Sequence, residues 1–206
     1  MAPLSTSIQI KQSSNIGMND NIFFDISRLK SCGQNVIIGK TVRIRYPEQV
    51  SLSDNVIIDD FTYISTALDL AEYVHIASGC KLIGGPKSAI KMGAFSTLAP
   101  NVVLSAGSDD YHSGIAGPFV PEEFKAKAVI GQISIGRHSI VGANTTVLPD
   151  VRLLDGASVG AQSLVKHDLA EWTLNVGVPT RVIGRRNRAE VLELEAEFLR
   201  GARDND

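Results

Sequence analysis

The stretch ISIGRHSIVGANTTVLPDVRLLDGASVGAQSLVKHDL, residues 133–169, repeats with a period of six residues. Aliphatic residues occupy one phase of the repeat: Ile135, Val141, Val147, Leu153, Val159 and Val165. Four positions after each of them stands a small or medium-sized residue: Ser139, Thr145, Val151, Ala157, Ser163 and Leu169. A helix repeats its apolar face every 3.6 residues and a strand every two residues, so neither element alone explains this period. With glycine or proline recurring between them, the hexads predict short strands separated by bends.

The same period runs through the upstream sequence with interruptions, at Ile38, Ile44, Leu52, Ile58, Ile64, Leu70, Ile76, Leu82, Met92, Leu98 and Leu104. Three hexads form one coil of a triangular prism, and successive coils stack at about 4.8 Å. Burial of each inward aliphatic side chain contributes roughly 1.5–3 kcal/mol, and each coil depends on its neighbours. The alternative, an antiparallel β-sandwich of short strands, does not require strict six-residue phase. We therefore predict an all-β fold, a parallel β-helix.

Three further segments complete the predicted organisation. Residues 1–34 show no clear period and are interpreted as an N-terminal cap, whereas residues 35–170 form the β-helix. Residues 105–130 interrupt the hexads, and loops of this length are uncommon unless they are functional. Pro118, Phe119 and Pro121 indicate that this excursion is ordered, and it is expected to wall off a pocket. The alternative is an arm that stabilises an oligomer without contacting a ligand. In the C-terminal segment, residues 171–206, an apolar stripe of Val191, Leu194 and Phe198 predicts an amphipathic helix that caps or packs along the prism.

Composition narrows the class of protein. Twenty basic and 22 acidic residues leave a formal charge of −2, which gives no general attraction to nucleic acid or to anionic membranes. The first ten residues lack the pattern of a signal peptide, and no apolar run approaches the roughly 18 residues of a membrane-spanning helix. Cys32 and Cys80 have neither disulfide nor metal-ligand spacing, as is typical of a reducing compartment. We expect a cytoplasmic protein that binds no nucleic acid and does not insert into membranes.

The hexads, the excursion after Leu104 and the segment GVPTRVIGRR (residues 177–186) resemble the left-handed β-helix acyltransferases built from hexapeptide repeats. The segments SDDY, VPEEFK, GRHSIVGA and VLELEAEFL are similar to a narrower branch. That branch contains the nucleotide-linked amino-sugar N-acyltransferases of the anthrose N-acyltransferase type. The resemblance implies left-handed coiling, an excursion loop, a C-terminal helix and a homotrimer, with acetyl-CoA or another acyl-CoA in the groove between two prisms.

The resemblance also implies a reaction, acyl transfer from the CoA thioester to an amine of a nucleotide-linked deoxysugar. The thiolate leaves readily, and the chain has no G-x-S-x-G motif, so direct attack by the acceptor is the simplest mechanism. Two alternatives stay open. One is a sugar O-acetyltransferase of polysaccharide or lipopolysaccharide biosynthesis, and the other is a non-catalytic β-solenoid that acts as a scaffold or binding module.

Direct attack requires a proton acceptor close to the sugar. In galactoside-type relatives a histidine stands where this chain has Asp109, and a carboxylate suits an amine better than a hydroxyl. His75 is expected to point outward near the same corner, as a second candidate base whose tautomer Asp109 could hold. The predicted acceptor-binding residues are Asp110, Ser78 and His112. The alternative for GSDD is a turn that opens the excursion, and the alternative for His75 is a solvated surface histidine.

Two Gly-Ala pairs stand eighteen residues apart, so they are expected to stack on one edge of the prism and to let a ligand approach the backbone closely. The predicted cofactor-binding residues are Gly142, Ala143, Gly160, Ala161, Lys166, Pro179, Arg181 and Arg185. The resemblance implies that the last part of this set contacts the adenine and phosphates of CoA. The alternatives are that Gly-Ala pairs suit any tight corner and that the arginines form a solvated surface.

A metal enzyme on the same fold is a rival within catalysis. The γ-class carbonic anhydrases have a similar prism, but they bind zinc through three histidines. Here His75 and His112 have roughly the longer of the expected spacings, and the residues around Gly117 supply no third ligand. No metal site is predicted. The remaining histidines, His138 and His167, are expected to be solvent-facing residues of the corners.

Overall fold

A computed structural model describes residues 24–117, 119–125 and 127–203. The chain is a β-solenoid of about seven turns with one C-terminal helix, which confirms the predicted left-handed parallel β-helix. Residues 1–23, most of the predicted N-terminal cap, and Pro118 lie outside the described residues. The division at residues 34 and 170 therefore stays a prediction.

The strands stack into three faces. Face I contains β2 (Ile37–Ile38), β5 (Ile57–Ile58), β7 (His75–Ile76), β9 (Thr97–Leu98), β14 (Ile140–Val141), β17 (Ser158–Val159) and β19 (Thr173–Val176). Face II contains β3 (Arg43–Ile44), the first parts of β6 (Tyr63–Leu70) and β8 (Lys81–Met92), β10 (Val103–Ser105), β15 (Thr146–Val147) and β18 (Leu164–Val165). Face III contains β1 (Ser31–Cys32), β4 (Val50–Leu52), the later parts of β6 and β8, β13 (Gln132–Ile135) and β16 (Arg152–Leu153).

Neighbouring strands within each face are parallel, and every coil runs through faces III, I and II in that order. We number the coils from the N-terminus by the residue near which each begins: Ser31, Val50, Leu68, Ala89, Gln132, Arg152 and Leu169. The corners of successive coils stack into three edges, called the I/II, II/III and III/I edges. Short 3-10 helices lie at Ile26–Arg28, Pro47–Gln49 and Glu122–Phe124.

The core is the inside of the prism. All six aliphatic residues that define the repeat between Ile135 and Val165 are buried, as predicted. The smaller residues four positions later are buried as well. Some of them make a contact that the period does not predict, because their hydroxyls donate to corner carbonyls of the next coil. Ser139 Oγ donates to the Leu154 carbonyl at 3.2 Å, and Thr145 Oγ1 donates to the Gly160 carbonyl at 3.1 Å.

Several corners are closed by an aspartate from the next coil. A Cβ on Gly136 would lie 2.6 Å from the backbone nitrogen of Asp155, so no side chain fits there. Asp155 Oδ1 accepts a hydrogen bond from the Arg137 backbone N–H at 2.9 Å. The same arrangement joins Gly33 to Asp54 and Gly131 to Asp150. We call these aspartate-capped corners, and they satisfy backbone donors that hexad stacking leaves unpaired.

The excursion leaves the prism at the II/III edge between coils 4 and 5. Its base is a two-stranded antiparallel ribbon of β11 (Gly107–Ser108) and β12 (Val129–Ile130). Several of its apolar side chains are exposed, including Tyr111, Phe119 and Phe124. Exposed aromatic groups clustered on one loop are typical of a contact surface.

The C-terminal segment reverses over the last coil and returns along the prism. Strand β20 (Arg181–Arg185) pairs antiparallel with β19. Helix α1 (Arg188–Arg203) then runs along the III/I edge, where the Phe198 ring meets the Tyr73 and Phe95 rings edge-on at centroid distances of 5.3 and 6.2 Å. The predicted amphipathic helix that packs along the prism is therefore confirmed.

Two details of this edge differ from expectation. Leu194, expected in the buried stripe, is 58% exposed. The helix presents Glu195 to the prism instead, which pairs with Arg137 and lies 3.0 Å from His138 Nε2. The prediction that His138 faces solvent is also wrong, because the helix covers its corner and leaves it 7% exposed. Burial, followed by the charges of Arg137 and Arg186, lowers the pKa of His138. His167 is exposed as predicted.

Candidate functional site

The two Gly-Ala pairs stack on the I/II edge, in coils 5 and 6. A Cβ on Gly142 would lie 2.5 Å from the Ala161 backbone nitrogen, and the Gln162 N–H donates to the Ala143 carbonyl at 2.8 Å. Unlike the aspartate-capped corners, these corners receive no carboxylate from the coil above. Within the part of the chain that the structure describes, the backbone N–H groups of Ala143 and Ala161 have no hydrogen-bond partner. The edge therefore offers two free amide donors one coil apart.

Coil 7 extends this edge with the segment from Gly177 to Thr180. The Leu164 N–H donates to the Gly177 carbonyl at 3.0 Å, and the Thr180 N–H donates to the Leu164 carbonyl at 2.9 Å. These two bonds fasten Pro179, which follows a cis peptide bond, onto the coil below. The ladder of small residues therefore ends in a rigid turn.

The predicted cations do not all lie on this edge. Arg181 follows the turn and is exposed next to the I/II edge, where it pairs with Val176 across the two strands. Arg185, at the other end of β20, is opposite Thr173 and close to the III/I edge. Lys166 follows β18 and is exposed at the II/III edge of coil 6. Of the three, Arg181 therefore has the position that the predicted cofactor site requires.

Asp109 lies at the base of the excursion, next to coil 4. It lines an open depression of about 260 Å³ together with Gly84, Gly107, Ser108 and residues 128–130. The residue is exposed, and among the described residues no donor hydrogen-bonds to its carboxylate. A free carboxylate beside a depression is available to a ligand.

Asp110 is engaged in its own loop. Its carboxylate accepts hydrogen bonds from the His112 N–H at 2.8 Å and from Ser113 Oγ at 2.6 Å. The bond from Ser113, followed by the bond from His112, lowers the pKa of Asp110. These two hydrogen bonds form a turn at the start of the excursion, which is the alternative interpretation of the GSDD segment. His112 itself is exposed in the excursion, and Ser78 is exposed at the I/II edge of coil 3.

His75 points outward from face I of coil 3, as expected, but its partner differs from the prediction. Its Nε2 atom lies 2.9 Å from Asp59 Oδ2, and both side chains are about half exposed. Within this chain Asp109 stands on another edge, and His75 pairs with Asp59. The register explains the observed pair, because Ile58 is paired with Ile76 and Asp59 follows Ile58 directly. Sequence reasoning missed Asp59, although the eighteen-residue coil brings it next to His75.

The chemistry of the other groups narrows the mechanism. Cys80 is buried, and desolvation raises the pKa of its thiol to about 11, so it is not a thiolate nucleophile at neutral pH. No group of three or more His, Cys, Asp or Glu residues in the described ranges could hold a metal ion. Helices of those same ranges are all too short or too polar to cross a membrane.

Known proteins are similar to this chain in sequence and in fold. No protein-family model matches it. A dTDP-4-amino-4,6-dideoxy-D-glucose acyltransferase of Escherichia coli is 36% identical over 174 residues, covering 82% of this chain and 88% of that protein. A lipopolysaccharide biosynthesis O-acetyl transferase, described as putative, from Escherichia coli K12 is 28% identical over 131 residues, 61% of each chain.

Crystal structures of AntD, an N-acyltransferase from Bacillus cereus, are similar to this chain in both sequence and fold. The complex with dTDP and 3-hydroxybutyryl-CoA is 34% identical, with a TM-score of 0.82, and the match covers 89% of this chain and 99% of that one. A single-residue variant in complex with dTDP-4-amino-4,6-dideoxyglucose and coenzyme A is 36% identical, with a TM-score of 0.80 and coverage of 85% and 93%.

Proposed function

This chain belongs to the hexapeptide-repeat acyltransferases, in the branch of the nucleotide-linked amino-sugar N-acyltransferases, and from that membership we propose that it transfers an acetyl or other short acyl group from acyl-CoA to the amine of a dTDP-linked amino-deoxysugar. The observation that carries the proposal is the pair of free amide donors at Ala143 and Ala161. Both lie on an edge where Gly142 and Gly160 leave room for a ligand.

This edge suits the donor substrate. The pantetheine arm of CoA is narrow and carries two amide groups, whose carbonyls need hydrogen-bond donors at regular spacing. The Ala143 and Ala161 N–H groups supply them about 4.8 Å apart. Arg181, exposed beside the Pro179 turn, supplies positive charge for the phosphates. The acyl thioester then points down the edge toward coil 4. Because Asp109 of the same chain stands on the II/III edge, the Asp109 that meets this thioester belongs to a neighbouring prism of the trimer proposed below.

Asp109 suits the chemical step. The neutral amine attacks the thioester carbonyl carbon, the C–S bond breaks, and CoA leaves as the thiolate. The attacking nitrogen sheds one proton, which the carboxylate accepts before it passes to solvent or to the leaving thiolate. The carboxylate also orients the amine by accepting a hydrogen bond from it. An exposed carboxylate without an internal partner meets both requirements.

We further propose a homotrimer that acts in the cytoplasm. The exposed aromatic residues Tyr111, Phe119 and Phe124 of the excursion support an intersubunit contact, because a second prism would remove them from water. The free thiols of Cys32 and Cys80 support a reducing compartment. Sedimentation analysis tests the trimer independently of activity.

A panel of dTDP-linked amino sugars with acetyl-CoA, monitored by thiol release, tests the reaction. Asp109→Asn should lower kcat about 100-fold or more and leave acyl-CoA binding unchanged. Asp69→Asn, an exposed carboxylate on the outside of face III, is the matched control and should keep full activity. Full turnover in Asp109→Asn would remove this residue from the chemical step.

O-acylation is the second candidate, and one observation favours it. A sugar hydroxyl needs a stronger base than an amine does, and the His75–Asp59 pair at 2.9 Å has the composition of such a base. The carboxylate would hold the ring so that its Nδ1 atom accepts the hydroxyl proton. If this reaction is correct, His75→Gln abolishes turnover on the hydroxyl acceptor. N-acylation instead predicts little loss in that variant.

A further inference from the structure

The outward side chains of face II change in character along the prism. In coils 1 to 3 the strands pair in register so that Arg43, Tyr63 and Lys81 form one vertical column. The column continues through coils 4 to 6 as Val103, Thr146 and Leu164. The lower half is therefore basic and aromatic, and the upper half is small or aliphatic. The change falls at coil 4, where the excursion leaves the prism.

The lower half is held in a defined arrangement. The Arg43 guanidinium lies over the Tyr63 ring at 5.9 Å from its centroid. Arg45, two residues along, donates a hydrogen bond to the Tyr63 side-chain oxygen, and this bond raises the pKa of Arg45 above its ordinary value. Lys81 Nζ donates to the Gly79 carbonyl at 3.0 Å, which directs the ammonium toward the I/II edge and leaves its other protons available.

An exposed aromatic ring stands beside this column. Phe61, at the I/II edge of coil 2, is 72% exposed, and no ring of the described chain stacks on it. Its backbone has a positive φ of 62° and is held by a hydrogen bond from its N–H to Thr41 Oγ1 at 2.8 Å. The same left-handed conformation recurs at other corners of the prism, including Tyr73 and Phe95, so it belongs to the coil and fixes where the ring leaves the backbone. Here a large apolar ring is exposed to water at the I/II edge, two residues before Tyr63 of the column.

Nearby carboxylates do not cancel the positive charge of the column. Asp60 is turned toward Thr41, whose N–H and Oγ1 both donate to its Oδ1 atom at 2.8 Å. Asp59 is paired with His75 on face I. Glu48 is exposed on the short 3-10 helix after β3. Cations and an unstacked ring on one surface match the two parts of a nucleoside diphosphate, because phosphates need cations and bases need a stacking partner.

We propose that this column binds the nucleoside diphosphate of the acceptor, with the diphosphate between Arg43 and Lys81 and the base stacked on Phe61. The assignment rests on the proposed function for the nature of the acceptor. Arg43 and Lys81 are two coils apart, about 9.6 Å, a span that their long side chains close around two phosphates. The sugar then extends toward coil 4, where it meets an acyl group that arrives from coils 5 to 7.

Binding of free dTDP to the full-length chain, measured by calorimetry, tests this site without turnover. The double variant Arg43→Gln/Lys81→Gln should raise the Kd for dTDP about tenfold or more and leave the Kd for acyl-CoA unchanged. Phe61→Asn, chosen because asparagine tolerates a positive φ, should weaken dTDP about five- to tenfold. It should leave the binding of inorganic pyrophosphate unchanged, because pyrophosphate has no base.

Lys91→Gln is the matched control. Lys91 is an exposed lysine on the same strand as Lys81, but it lies on face III. An unchanged Kd for dTDP in the double variant, or an equal loss in Lys91→Gln, would overturn the assignment. Equal loss of dTDP and pyrophosphate in Phe61→Asn would overturn the stacking part of it.

The outcomes separate this proposal from the proposed function. If no amino sugar is acylated but dTDP binding still depends on Arg43, Lys81 and Phe61, the column is correct and the proposed reaction is wrong. If amino sugars are acylated and their KM is unchanged in the double variant, the proposed reaction is correct and the assignment of the nucleotide site to the column is wrong. Circular dichroism of each variant shows whether the fold is intact.

Discussion

At Gly136 and at Gly142 the next coil approaches the glycine equally closely, since an added Cβ would lie 2.6 Å and 2.5 Å from the backbone nitrogen above. The two corners differ in the residue that the upper coil presents. Asp155 closes the first corner and accepts a hydrogen bond from the Arg137 N–H. Ala161 stands at the equivalent place over Gly142 and leaves the Ala143 N–H unpaired.

The difference teaches how one backbone can serve as structure or as a binding surface. Where a corner carries only the fold, the stacked aspartate satisfies the amide from within the chain. Where the aspartate is replaced by alanine, the amide stays free for a ligand, and the methyl group keeps the crevice open. At these two corners, the residue at a single position of the hexad determines whether the amide below is paired within the chain or left for a ligand.

Converting one kind of corner into the other has the largest expected effect. Ala161→Asp should cap the Ala143 N–H and fill the crevice, and so raise the Kd for acyl-CoA about 100-fold, because both a donor and space are lost. Binding calorimetry measures this, with thermal unfolding as the test of folding. Ala161→Asn is the matched variant, since it caps without charge and should also lose binding. Normal donor affinity in both variants would break the comparison.

Removing the positive charge beside the I/II edge should have a smaller effect on acyl-CoA binding. Arg181→Ala removes the cation next to the I/II edge and should raise the KM for acyl-CoA about tenfold, with kcat nearly unchanged, because a phosphate loses its charged partner. Arg185→Ala, at the other end of the same strand, is the control and should change KM little. Equal effects in both variants would contradict a donor site confined to this edge.

Removing the aspartate from an aspartate-capped corner should lower the stability of the protein but not its activity. Asp155→Ala removes the acceptor for the Arg137 N–H and should lower the free energy of unfolding by about 1 kcal/mol. Asp155→Asn keeps an acceptor oxygen and should be close to the unaltered protein. Chemical denaturation measures both variants. A loss of acyl-CoA binding in Asp155→Ala would show that the two kinds of corner are not distinct.

The free energy of unfolding should depend mildly on pH because of His138 at the III/I edge. Burial and the neighbouring arginines lower the pKa of His138 in the folded chain, whereas an unfolded histidine titrates near 6.5. Below about pH 6.5 the unfolded chain binds the extra proton more readily, so the free energy of unfolding should fall as the pH is lowered from 7 toward 5. His138→Gln should flatten this slope, and His167→Gln, at an exposed histidine, should not.

Sequence was sufficient for the parts of the molecule whose pattern is local. The period between Ile135 and Val165 identified the inward residues, because hexad phase and burial are the same property in a β-helix. The stacking of Gly142 under Ala161 followed from the eighteen-residue coil. The C-terminal helix followed from its apolar spacing.

Other features depend on what one element presents to another. Leu194 was expected to be buried, but the corner beneath the helix carries Arg137 and His138, so Glu195 faces it instead. The sequence does not predict the contact of Asp59 with His75, because the two residues lie in successive coils and share no motif. The Arg43–Tyr63–Lys81 column is likewise invisible along the chain, because outward positions follow no period and appear only when coils are aligned.

The position of α1 has a consequence for how the molecule comes apart. A solenoid without long-range contacts resembles a row of weakly coupled units, which can fray from either end. Here one helix touches Tyr73 in coil 3, Phe95 in coil 4 and His138 in coil 5. It acts as a strut across the middle coils. Unfolding of any one of coils 3, 4 and 5 removes a contact that holds the helix. We therefore expect these three coils to unfold as one cooperative block. The first two coils do not touch the helix at these residues and can open separately.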